Sequence, residues 1–144
     1  MSALRPHKAS PVVLRRPQGA LELLAFAHPL AGRQLVKGAI EPGESAAHAA
    51  VRELHEEAGL EGRALVHLAN WDSGHEGQIW SFHLCELSAD PGDAWVHRCA
   101  DDGGHEFAFF WQRLDDTCLA GWHPVHTRAV QFVRTILMAD PAPS

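Results

Sequence analysis

One stretch, GAIEPGESAAHAAVRELHEEAGL from Gly38 to Leu60, restricts the architecture of this chain more than any other. Ser45 can cap a helix at its start, and Gly59 can take the left-handed conformation just past its end. Between them the spacing predicts a helix over residues 45–58, with Ala47, Val51, Leu54 and Ala58 gathered on one side. Glu53, Glu56 and Glu57, at i, i+3 and i+4, share another face, because successive residues step about 100° around the axis. Like charges so placed cost about 0.2–0.5 kcal/mol per pair. A solvated face is the usual reading of such a cluster taken alone; a bound cation is the other. The helix is therefore expected to dock by one face and present acid on another.

The flanking sequence supplies strands. PVVLRRPQGALELLAFAH reads as two strands about a Pro17–Gln18–Gly19 turn. GRQLVKGAIEPGE follows as a glycine-punctuated connection. RALVHLANW, QIWSFHLCEL and EFAFFWQRL are rich in aromatic and β-branched residues and read as strands. A long polar loop, SADPGDAWVHRCADDGG, separates the last two and holds a short strand around Trp95. PVHTRAVQFVRTILMAD reads as a second helix, with Val130, Val133 and Leu137 at helical spacing. Strands outnumber helices in mixed order, so an α+β fold is expected: a mixed β-sheet with helices on both faces, in one domain over residues 1–144.

Composition narrows the partners. The formal net charge is -6, which argues against a nucleic-acid coat, an anionic-membrane binder or a DNA partner. A bound divalent cation would still admit an anionic substrate, since it reverses the local sign. MSALRPHKASPVVLRR has no apolar core of a signal peptide, and no stretch approaches membrane-spanning length. Cys85, Cys99 and Cys118 are odd in number and lack a C-x-x-C pair, which reads as reduced thiols in a cytoplasmic protein. Eleven histidines show no zinc-protease or zinc-finger spacing. His123 and His126 are at i, i+3 without further ligands and read as surface or packing residues.

The defined positions in the first stretch are Gly38, Glu44, Arg52, Glu53, Leu54, Glu56, Glu57, Gly59 and Leu60. All nine match the signature box of the Nudix hydrolase family, which the chain resembles. Seven of them are fixed letters, and chance would give those on the order of once in a hundred million starting positions. The box covers 23 residues, and the elements around it fit the α/β/α sandwich that the resemblance implies. It also implies metal ligation by Glu53, Glu56, Glu57 and the backbone carbonyl of Gly38. Arg52 and Glu44 become an orienting ion pair, and Lys37 a phosphate contact. Val36 stands where proline is usual before that lysine, a departure that would loosen the loop.

Such a cluster suits the cleavage of a phosphoanhydride, where water attacks phosphorus among negative oxygens and catalysis is mostly positioning and charge neutralisation. Hard cations, Mg²⁺ or Mn²⁺, prefer oxygen ligands. The proton acceptor is open between Glu53 and a later carboxylate, either Glu106 in GGHEFAFF, the preferred of the later two, or Glu76 in SGHEGQ. His75 and His105 are eligible too, although each of these loop residues reads more readily as an ordinary strand-end group. Trp71, Trp80 and Trp111 could stack a base, but strand aromatics are more often core. Of Arg15 and Arg16 at most one can reach phosphate, because neighbours in a strand point oppositely.

The function expected is a metal-dependent pyrophosphohydrolase acting on a nucleoside diphosphate linked to another group. The alternative is a non-catalytic nucleotide-binding module, and a third reading is removal of pyrophosphate from RNA 5′ ends. The chain has no tyrosine, and no proline around His75; these mark dinucleoside-polyphosphate and ADP-ribose members respectively. The substrate therefore leans toward a nucleoside triphosphate or another small nucleotide, damaged nucleotides included. Many members form homodimers, and nothing in the sequence marks an interface.

Overall fold

A computed structural model describes residues 5–100 and 103–139. Parts of the expected N-terminal stretch, Asp101 and Asp102 of the polar loop, and Asp140 of the expected second helix lie outside them. The strands are β1 (Lys8–Arg15), β2 (Glu22–His28), β3 (Gly32–Gln34), β4 (Gly38–Ala39), β5 (Gly62–Asp72), β6 (Ile79–Leu87), β7 (Trp95–Arg98) and β8 (Glu106–Arg113). The helices are α1 (Ala46–Ala58), between β4 and β5, and α2 (Pro124–Leu137) at the end. All the expected strands and both helices are present. β3 and β4 were not expected, since runs of three and two residues carry no period to read.

β1 explains how the sheet is built. It is buried through its middle, so its apolar run is nearly continuous rather than alternating. Lys8 to Val13 pair in parallel with Trp80 to Cys85 of β6, whereas Leu14 and Arg15 pair antiparallel with β2. One strand thus joins two half-sheets, giving the order β5-β6-β1-β2-β8-β7, with β3 on β2 and β4 on β1. Because side chains alternate across the sheet, Ala9 and Val13 meet Ala50, Leu54 and Phe109 on one face. Val12 meets Trp80, Phe82, Ala129 and Val133 on the other. α1 covers the first face and α2 the second, which makes the α/β/α sandwich.

The docking face of α1 differs from the sequence expectation. Ala49, Ala50, Leu54 and Ala58 are buried, and Glu53 is buried with them at 8% exposure, while Ala47 and Val51 are only half-buried. The helix is rotated so that one acid points inward. Gly38 on β4 makes this feasible, because a Cβ there would collide with the Glu53 carboxylate.

Candidate active site

β4 places the site. Its two residues pair with the start of β1, Gly38 opposite Ala9 and Ala39 opposite Lys8. A tight turn then leads into α1: the Glu44 N–H donates to the Glu41 carbonyl at 3.0 Å, with Gly43 at φ +79°. Ser45 caps the helix by accepting from the His48 N–H at 3.1 Å. Gly59 ends it in the left-handed conformation, as the sequence predicts.

Arg52 is the hub that braces this unit. Its Nε and Nη2 form a fork onto the Glu44 carboxylate, both at 2.8 Å. Nη2 also donates to the Ala39 carbonyl at 2.9 Å, and Nη1 reaches Glu53 at 2.8 Å and Glu56 at 3.1 Å. The fork holds the Glu44 carboxyl well below the usual carboxylate range, and Glu44 in turn raises the Arg52 guanidinium. A planar guanidinium can satisfy these acceptors together, where a lysine ammonium could not.

Glu53 and Glu57, one turn apart, are hydrogen-bonded to each other. Burial, and after it the Glu53 neighbour, pushes the Glu57 carboxyl well above its ordinary value. The backbone N–H of Lys37 donates to Glu57, and the Lys37 charge pulls the other way. Both glutamates face a cavity of about 370 Å³ with Gly38 and Lys37. Lys8, His28 and Gln34 add polar groups, and Phe26 stacked on Phe107 at 4.3 Å supplies an apolar wall. His28 accepts the N–H groups of Leu30 and Ala31 at Nδ1, at 3.0 and 3.2 Å, which leaves its proton on Nε2.

The donor chemistry fits a hard divalent cation. Glu53, buried, and Glu57, half-buried, are oxygen donors already converged on one another. The fit is not a finished triad, and among the described residues no group of three His, Cys, Asp or Glu side chains is assembled for a metal. Glu56 is the one set apart, its carboxylate resting on Arg52 rather than lining the cavity.

The remaining candidates fall elsewhere. Glu106 is not brought to the site: Phe107 points into the cavity, so its neighbour on β8 points to the opposite face, where Glu106 is exposed. That alternation, with Phe107 and Phe109 on the face opposite to Glu106, is a signal already present in the sequence. Glu76 is exposed in the loop after β5 and paired with His75 at 3.1 Å. His105 packs on His28, with ring centroids 5.1 Å apart, at the border of the cavity. Trp71 and Trp80 belong to the core under α2, and Trp111 lies beneath the Arg15 guanidinium at 4.5 Å. Arg15 is tied to Glu22 and Asp93, and Arg16 donates to the Gly19 carbonyl, both at the far end of β1. The three cysteines are free thiols, Cys85 and Cys99 buried and Cys118 exposed. Sequence reasoning missed Lys8, His28, Gln34 and Phe107, which converge only through the pairing of β1, β2, β3 and β8, and Cys99 of the β7–β8 connection.

The fold is an α/β/α sandwich whose strand–turn–helix unit sets a hydrogen-bonded carboxylate pair beside a lysine. The chain belongs to the Nudix family, the NUDIX domain model matching residues 5–132. Solved structures agree in fold. An ADP-ribose pyrophosphatase from Streptococcus suis superimposes with a TM-score of 0.67 at 19% identity, covering 96% of each chain. An Ap4A hydrolase from C. elegans gives 0.59 at 20% identity, over 92% of this chain and 99% of that one. A UDP-X diphosphatase gives 0.68 at 12% identity, over 96% of this chain and 66% of that one. No curated protein matches by sequence. Among the described residues no helix is long and apolar enough to cross a membrane.

Proposed function

We propose that the protein is a Mg²⁺- or Mn²⁺-dependent pyrophosphohydrolase that cleaves a phosphoanhydride bond in a small nucleotide, a nucleoside triphosphate being the first choice. The observation that carries this is the hydrogen-bonded Glu53–Glu57 pair facing the same cavity as Lys37. A volume of about 370 Å³ sits at the small end of ligand sites and suits a single nucleotide. The structural neighbours named above take ADP-ribose, Ap4A and UDP-X by name, which supports the bond type and leaves the attached group open.

Glu53 and Glu57, with the carbonyl of Gly38, would hold the cation, and Glu56 would complete the set from the Arg52 side. Bound there, the cation neutralises phosphate charge and acidifies the attacking water. Arg52, itself anchored by Glu44 and the Ala39 carbonyl, keeps Glu53 in place. Lys37 binds phosphate oxygens and offsets the charge that grows as the bridging P–O bond breaks. With Glu106 and Glu76 both outside the cavity, the proton of the attacking water falls to Glu53. Phe26 and Phe107 keep bulk water from the rear wall.

The test is a phosphate-release screen across nucleoside triphosphates, ADP-ribose, dinucleoside polyphosphates and nucleotide sugars, with either metal. A hit that falls more than about a hundredfold in Glu53→Gln and Glu57→Gln supports the reading. Tight nucleotide binding without release from metal-loaded protein would favour the non-catalytic module instead.

A further inference from the structure

The segment that connects β3 to β4 is three residues long, Leu35 to Lys37, and it delivers both Lys37 and Gly38 to the cavity. It has no strand pairing of its own, yet Leu35 and Val36 are 2% and 1% exposed. Buried backbone of this kind needs partners for its polar groups. Each residue finds one in a side chain from a different element. The Leu35 N–H donates to His126 Nδ1 of α2 at 2.9 Å. The Val36 carbonyl accepts from Ser10 Oγ of β1 at 2.6 Å. The Lys37 N–H donates to Glu57 of α1.

His126 has a second link to the same lysine. Its ring meets Trp80 edge-on with centroids 5.1 Å apart, and the Lys37 ammonium sits 5.6 Å from the centre of the Trp80 ring. Backbone and side chain of the segment are therefore both referred to α2, across the sheet from the glutamate helix.

We propose that His126, assisted by Ser10, is a positioning residue of the active site, clamping the Leu35–Lys37 backbone so that Lys37 and Gly38 face the Glu53–Glu57 pair. His126 is not itself part of the cavity lining, and it reaches the cavity through the Leu35 backbone it holds. It suits the task because burial, with the charges of Lys37 and His123, depresses its pKa to about 2. The ring is therefore neutral, and the Leu35 N–H directed at Nδ1 makes that nitrogen the acceptor. Val36 stands in this segment without loosening it, since the two side chains fix the backbone on either side of its Cα. The link to metal affinity rests on the function proposed above, whereas the clamp itself does not.

Two substitutions separate clamping from packing. His126→Phe keeps a ring against Trp80 and removes the acceptor; His126→Asn keeps an acceptor near the Nδ1 position and removes the ring. Two readouts are taken on each: amide hydrogen exchange of the metal-free protein by NMR, and direct Mn²⁺ binding by electron paramagnetic resonance. In His126→Phe, exchange at Leu35, Lys37 and Gly38 should quicken about tenfold or more, with Ala50 and Leu54 of α1 unchanged. Mn²⁺ should bind about tenfold more weakly, as when a support behind metal ligands is removed. His126→Asn should stay within about threefold of the unsubstituted protein in both. The reverse pattern, or no change in His126→Phe, overturns the proposal and leaves His126 as core packing. If neither variant folds, Ser10→Ala decides: faster exchange at Lys37 supports the clamp, and unchanged exchange overturns it. Failure of the unsubstituted protein to bind Mn²⁺ would sink the metal reading alone, with the exchange arm still judging the clamp.

Discussion

At Gly38, a missing methyl group decides where a carboxylate can stand. The residue has ordinary backbone geometry, so alanine would introduce no backbone strain; its Cβ would simply meet the Glu53 carboxylate. Leaving both in place would cost about 1–3 kcal/mol in a packed interior, and the Glu53 side chain, held by Arg52 and Glu57, is what gives way. Gly38→Ala is therefore expected to fold with little loss of stability while binding Mn²⁺ more than about tenfold more weakly. A Mn²⁺ titration beside a melting curve checks this; unchanged affinity would mean that the present position of Glu53 is not the one a metal needs. The glycine and the glutamates were legible in the sequence as a pattern. Their relation was not, because Glu53 looks like one more member of an exposed acidic face until β4 is laid beside it.

At the scale of the element, α1 is held at both ends by devices that are local and therefore readable. Ser45→Ala should cost about 1 kcal/mol through loss of the His48 N–H acceptor. Gly59→Ala should cost more, about 2 kcal/mol, since a left-handed alanine is strained and its Cβ would lie 2.7 Å from Nδ1 of His97. His97 also contacts the Glu56 carbonyl at 3.1 Å, so moving it loosens the last turn as well. Urea unfolding of the two variants gives the comparison; a smaller loss in Gly59→Ala would show that the helix end relaxes freely. The same contrast explains what the sequence could and could not reveal. Helix ends and apolar strands are set by neighbours in the chain, and α1, α2 and the long strands fall where periodicity and capping put them. β3 and β4 are too short to show a period, and the cavity wall is drawn from five strands. Lys8, Gln34 and Phe107 gain their meaning from register, which no local window contains. Glu106 is the instructive middle case, for strand alternation in EFAFF already turns it away from Phe107.

For the whole molecule, the buried histidines set how stability responds to acid. His126 and His83 lie on opposite faces of the sheet, and burial depresses their pKa values to about 2 and about 4. An unfolded histidine titrates near 6.5, as a rough reference. Between that value and the depressed one, the unfolded chain binds a proton that the native protein refuses. Stability therefore rises with pH across this window and is lost as pH falls below about 6.5. Each such group contributes up to about 1.4 kcal/mol per pH unit. Glu57 works in the opposite sense in the metal-free protein, since its raised value favours the native state as it gains a proton. The two effects separate by difference: His126→Asn should lose about 2 kcal/mol less than the unsubstituted protein between pH 7 and pH 5. Chemical denaturation at the two pH values measures it. Equal losses would mean that His126 accepts a proton in the folded state, which would also withdraw the acceptor from Leu35 and open the clamp on the active-site backbone.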